Sequence, residues 1–251
     1  MGPMRRALTS LLATLAVATV AGGALLPAIG CATAHIDPEL YGAKKIVIAS
    51  VYARKTIYLD NVSGLAPGLY ENDYGGEVVE MELGDTEGAL GDIFGADIVP
   101  AGKAMQSKAY GRLPEVQPPE DFTRINDMTA VDVDAASAAP TLGALAQSVG
   151  ADAAVVLRHD FALSRDRFEV NAGVTAFDRC NILVVDAQGK RLWDDVVVVR
   201  IPASEMMGGA FGVALPTGNW GDEARQLARR TARDAIDQLE RRYRAARKEA
   251  N

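Results

Sequence analysis

Cysteine and histidine are scarce in this chain of 251 residues, at two each, and their scarcity removes several kinds of chemistry. A zinc centre needs three or four converging His, Cys or carboxylate ligands, and Cys31, Cys180, His35 and His159 do not supply them by spacing. A disulfide scaffold is missing as well, so packing has to hold the fold together. Basic excess is also lacking: 26 Lys and Arg stand against 33 Asp and Glu, for a net charge of -7. Such a surface argues against broad nucleic-acid binding, which needs a basic footprint. No serine sits in a Gly-x-Ser-x-Gly elbow, since Ser63 has Asn61 and Leu65 where the glycines belong. Gly208, Gly209, Gly212 and Gly218 do not make a phosphate loop, because Asn219 and Trp220 stand where lysine and a hydroxyl residue are required. The residues call for no cofactor.

What is present begins with a leader. Arg5 and Arg6 precede an uncharged apolar run from Ala7 to Ile29, which is export sequence and is set aside in reasoning about the fold. The segment Leu26-Pro27-Ala28-Ile29-Gly30-Cys31 resembles a bacterial lipobox, with Ala28 where leucine is usual. That resemblance implies cleavage before Cys31, lipidation of its thiol, and placement on the periplasmic face of the outer membrane, since Ala32 follows rather than aspartate. Several acyl chains then hold the protein on the membrane, where a single chain holds only marginally. Two other fates stay open: cleavage after Ala34, which releases a soluble chain starting at His35, and an uncleaved anchor. Loss of residues 1–30 leaves 221 residues and takes the net charge from -7 to -9.

Residues 31–43 read as a tether and 44–251 as one periplasmic domain with an irregular insertion at about 60–135. Lys45 to Val51 and Ala153 to Leu157 are short continuous apolar runs, the signature of strands in the middle of a sheet. Leu65 to Gly76 reads as loop, Glu77 to Leu83 as a half-exposed strand, and Gly84 to Gly111 as one or two short helices. Pro140 opens a helix that puts Leu142, Leu145, Ala146 and Val149 on one face and stops at Gly150. His159 to Leu163 extends the second core strand, a polar turn is expected at Ser164 to Arg167, and Phe168 to Thr175 resumes extended. Asp186-Ala187-Gln188-Gly189 links two strands as a hairpin turn with positive φ at its last residue. Asp222 to Arg247 is the clearest helix, striped by Leu227, Ala228, Thr231, Ala235, Leu239 and Tyr243. Its Arg241, Arg242, Arg244 and Arg247 read as dipole complement and solvated tail. The fold class is therefore α/β (α+β), a mixed sheet with packed helices including a long C-terminal one.

The order of lipobox, first strand, Leu145 to Ala153, and the hairpin Leu183 to Trp193 resembles a group of envelope lipoproteins. That group comprises relatives of the curli-secretion channel subunit, the penicillin-binding-protein activator lipoproteins, and the N-terminal domain of the periplasmic Tol translocation protein. The group's hairpin carries one more residue between Ala187 and Gly189 than this chain does. The resemblance implies a non-enzymatic domain whose partners are the membrane, through its lipid, and an envelope protein or the cell-wall machinery.

Candidate sites follow from what remains. His159 and Asp160 are adjacent, and strand neighbours point to opposite faces, so they do not form a base and its orienter; His159 is expected near a sheet rim. Asp166, Glu169, Asp194 and Asp195 read as solvated rim residues. A carboxylate-dependent cell-wall hydrolase, the alternative function, needs such groups opposed across a cleft. Cys31 is the lipidation site. Met206, Met207, Phe211 and Trp220, set among glycines, are the expected partner contact.

Overall fold

A computed structural model describes residues 35–55, 57–60, 68–70, 86, 88–124, 128–165, 174–202 and 220–250. Ala34–Asn251 forms one compact unit by itself. Its strands are β1 (Lys45–Arg54), β2 (Ile57–Asp60), β3 (Gly68–Tyr70), β4 (Asp97–Val99), β5 (Phe122–Arg124), β6 (Ala153–Arg165), β7 (Val174–Asp186) and β8 (Arg191–Pro202). The helices are α1 (residues 88–94), α2 (Ala101–Met105), α3 (Ala138–Val149) and α4 (Trp220–Ala250), with short 3-10 turns at Pro38–Gly42, Tyr110–Arg112 and Pro119–Asp121.

All eight strands belong to one mixed sheet. β6 is its axis: β7 pairs antiparallel along its full length, while β1 and then β2 run parallel along the other edge. β8 pairs β7 antiparallel, β4 and β5 pair the outer edge of β1, and β3 pairs β2. β1 from Ile46 to Ala53 and β6 from Ala153 to Leu157 are buried and, apart from Ser50, apolar, because both of their faces are covered there. The register of β1 against β6 shifts between Ile48 and Ser50, so the alternation changes phase there. Ile46, Ile48, Val51 and Ala53 join one apolar cluster, and Val47, Ala49 and Tyr52 join the other.

Each cluster has its own helices. On the first face α4 lays Ala228, Ala232, Ala235, Leu239 and Tyr243 over Val155, Leu157, Cys180, Ile182, Trp193, Val197 and Val199. On the second face α3 presents Leu142, Leu145, Ala146 and Val149 to Ala154, Val156, Leu183 and Val185. α3 ends where Gly150 takes a left-handed conformation at φ 67° and its N–H caps the helix.

The hairpin turn forms as expected, with Asp186 Oδ1 accepting from the N–H groups of Gln188 and Lys190 and Gly189 at φ 85°. This turn lies hard against α3. A Cβ on Gly143 would come 2.6 Å from the Gly189 nitrogen and 2.9 Å from its Cα, both backbone atoms. Gly143→Ala is therefore expected to destabilise the protein by about 1–3 kcal/mol through overpacking, although alanine is the better helix former by ~1 kcal/mol. A lower urea midpoint with an unchanged m-value is the check.

The structure departs from expectation in the following places. Residues 36–42, placed in the tether by sequence, pack on the domain: Ile36 bridges Trp193, and Leu40 is buried. Gly68–Tyr70 is strand rather than loop. β6 runs on through Ser164 and Arg165, where a turn was expected. The expected strand at Glu77 to Leu83 and most of Phe168 to Thr175 lie outside the described residues.

Candidate functional site

Two polar constellations lie on opposite faces of β6, β7 and β8, and alternation along the strands decides which residue joins which. Facing α4, the cross-strand rows read Leu157, Ile182, Asp195, then His159, Cys180, Val197, then Phe161, Asp178, Val199. Facing away, they read Arg158, Asn181, Val196, then Asp160, Arg179, Val198, then Ala162, Phe177, Arg200. Adjacent His159 and Asp160 are thus separated by the sheet, as the strand geometry predicts.

The α4 side holds a buried polar chain. His159 Nδ1 is 2.7 Å from Asp178 Oδ2 and its Nε2 is 3.9 Å from Cys180 Sγ, with exposures of 2%, 0% and 0% in that order. The expectation of a rim position for His159 is wrong: the strand carries it beneath the long helix, stacked on Phe161 at 5.8 Å. Cys180 is a free, buried cysteine of β7. Burial disfavours the imidazolium, yet the acidic groups at its two ends, Cys180 and Asp178, outweigh that, and the His159 pKa stands well above its ordinary value. Burial also pushes the Asp178 carboxyl up, against the opposing pull of His159. The same burial pushes the Cys180 thiol up. Thiol, imidazole and carboxylate in this order make an activated nucleophile when the thiolate is accessible. Here the thiol is 0% exposed in the core. The arrangement is a buried ion pair inside the core.

The opposite side is different. α3 covers the sheet only as far as Val156, Leu183 and Val185, and beyond them the second face of β6, β7 and β8 is open among the described residues. Val196 and Val198 are 37% and 48% exposed there. A cavity of about 370 Å³ is lined by Asp134, Arg158, Asp160, Arg179, Asn181 and Asp194 with neighbouring apolar groups. Arg158 bonds Asp160 at 3.0 Å, and its guanidinium also lies over the Phe122 ring at 5.8 Å. Arg200 covers Phe177 at 5.3 Å. The Arg158 pKa is raised, because Asp160 overcomes the cost of burial, so this cation stays charged.

Of the carboxylates that a hydrolase would use, Asp160 and Asp194 share this cavity, each with an arginine partner, Arg158 and Arg191. Asp195 points to the other face and binds Arg242 Nη1 with both oxygens at 2.7 Å. Its side chain is only 8% exposed, which corrects the expectation of a solvated rim residue. Asp166 and Glu169 lie outside the described residues, as do Cys31, Met206, Met207 and Phe211. Trp220 is the first residue of α4. Among the described residues no three His, Cys, Asp or Glu side chains are grouped to hold a metal ion. Among them too, no helix is long and apolar enough to cross a membrane.

With this geometry in view, solved structures provide a comparison. The chain is similar in structure to Lipoprotein GNA1162 from Neisseria meningitidis. Identity is 15%, 78% of this chain and 97% of that one are covered, and the TM-score is 0.37. The hypothetical protein CT253 from Chlamydia trachomatis matches at 10% identity over 80% of this chain and 98% of its own, with a TM-score of 0.35. The LpoB C-terminal domain from Salmonella enterica matches at 13% identity over 65% and 95%, with a TM-score of 0.26. At such identities and scores these likenesses say nothing of family, activity or partner. No protein-family model matches the chain, and no curated protein matches it.

Proposed function

We propose that this chain is a lipid-anchored, non-enzymatic protein of the bacterial envelope that binds a partner protein in assembly or regulation. The observation that carries this reading is the face of β6, β7 and β8 that is open among the described residues. Strands of 12 and 13 residues carry on that face, among the described residues, the exposed Val196 and Val198 and, in register beside them, Arg200 over the Phe177 ring. Apolar surface interleaved with arginine and aromatic rings is the composition of protein contact surfaces. A hydrolytic reading has less support: Asp160 and Asp194 are each engaged by arginine, and the thiol is sealed under α4.

Cys31 is the proposed attachment point, and the periplasmic face of the outer membrane the proposed location. Met206, Met207, Phe211 and Trp220 are proposed as a further contact with the same partner. The test uses native membranes. Intact mass of the N-terminal peptide is expected to show an acylated cysteine, and an unmodified peptide beginning at His35 would rule out the anchor. Crosslinked partners recovered from the same membranes are expected to fall at least tenfold with Val196→Asp/Val198→Asp, two rim-to-centre contacts worth ~1.4 kcal/mol or more together. A separate Phe211→Ala/Trp220→Ala variant reads the second contact. Unchanged recovery in both variants, with melting temperatures preserved, would sink the partner-binding role.

A further inference from the structure

The chain enters the domain, and its longest helix leaves it, at the same end of the sheet. Ile36 bridges Trp193 at the start of β8, and the Asp37 N–H donates to the Leu192 carbonyl at 2.8 Å. Tyr41 in the turn that follows packs edge-on against Tyr243 of α4 at 5.3 Å between ring centroids. Arg242 is tied to Asp195 one residue earlier on the helix. Tyr243 is thereby fixed beside the entry, and the helix runs on to Ala250, roughly 10 Å further at 1.5 Å per residue.

This projecting end is basic in an acidic protein. Between Glu240 and Glu249 lie Arg241, Arg242, Arg244, Arg247 and Lys248, in a chain whose net charge is -7. Arg242 is turned inward on Asp195, while the other four are exposed. Glu240 pairs with Arg244 and neutralises part of the excess. At the entry itself Lys190 answers Asp37 and Glu39 at 2.7 and 2.9 Å. The helix dipole favours cations only within the last turn, so it accounts for Arg247 and Lys248, while the i,i+4 pair with Glu240 accounts for Arg244 and Arg241 is left unexplained.

The short length of chain between Cys31 and the entry supplies the missing reason. Only residues 32–34 separate Cys31 from His35, a path of at most about 14 Å even when fully extended. A lipid on Cys31 brings the entry end of the domain that close to the headgroups, with the basic turns of α4 beside it. We propose that the exposed basic face of the last turns of α4 binds anionic lipid headgroups as a second attachment. This rests on the lipid-anchor reading for its geometry, and it follows the two-signal logic of stable membrane binding.

The test separates the two. The mature chain, residues 31–251 with Cys31→Ser, contains the whole compact unit and carries no lipid. It is mixed with vesicles of phosphatidylcholine alone or with one third phosphatidylglycerol, and floated at low and at high salt. Binding to the anionic vesicles, its release by salt, and a loss of about fivefold for each charge removed in Arg244→Gln, Arg247→Gln and Lys248→Gln are expected. Equal binding to both vesicles, no binding, or an unaffected triple variant with an unchanged melting curve overturns the proposal. Tighter binding to duplex DNA than to the vesicles overturns it also. The acyl mass on native Cys31 is read independently, so loss of the anchor reading and loss of the headgroup site are different results.

Discussion

Asp178→Ala is expected to lower the unfolding free energy by about 3–5 kcal/mol, the cost of removing one member of a buried ion pair and stranding the other. The carboxylate is 0% exposed and holds His159 Nδ1 at 2.7 Å. Asp178 Oδ1 has no hydrogen-bond partner, so the pair is imperfectly compensated even before mutation. Replacing both members with apolar residues, as His159→Leu/Asp178→Val, is accordingly expected to recover most of the loss, because no uncompensated group remains. A double variant no more stable than Asp178→Ala would show that the pair supplies packing shape rather than charge compensation.

The same pair sets a pH dependence. His159 holds its proton more tightly folded than unfolded, where its pKa is ~6.5. Its contribution to stability is therefore complete below that value and is lost as pH rises through the higher folded pKa. Denaturant titrations between pH 6 and 9, taken as wild type minus Asp178→Asn, are expected to show stability falling with pH. A difference that rises across this window would mean that His159 is buried neutral.

Much of the scaffold was legible because local and tertiary preferences agree in it. Ile46 to Ala53 in β1 and Ala153 to Leu157 in β6 are apolar but for Ser50, Gly150 supplies the backbone freedom that the end of α3 requires, and the stripe from Ala228 to Tyr243 is long enough to average out single misfits. The buried pair was missed because its members lie 19 residues apart and meet diagonally across β6 and β7. A signal did exist. Stepping back by two from Val184 through Ile182 and Cys180 puts Asp178 on the buried face, and stepping forward from Val155 and Leu157 puts His159 there. A buried carboxylate needs a partner, and His159 was the available one. The face of β6, β7 and β8 that is open among the described residues was hidden for another reason: where α3 stops along the strands is set by its close contact at Gly143 and Gly189, which no periodicity records.

Trp193→Ala should bring a loss of comparable size, about 3–5 kcal/mol, by deleting a fully buried aromatic from a site with little room to collapse. Its ring meets Phe94 edge-on at 6.2 Å and Tyr243 at 5.9 Å, and Tyr243 in turn holds Phe94 and Tyr41 at 5.3 Å each. Four elements converge there: β8, α1, the turn at Pro38–Gly42, and α4. The cavity would therefore open at the end of the domain where the chain enters, and its effect should be local as well as global. Hydrogen exchange is expected to quicken in residues 36–42 and 239–250 more than in α3. Trp193→Phe should cost much less, since Nε1 of Trp193 has no hydrogen-bond partner and its loss orphans nothing. A loss for Trp193→Ala within the ~0.5 kcal/mol typical of surface sites would show that this cluster does not fasten the helix to the sheet. In that case the basic turns of α4 would have no fixed position beside the tether.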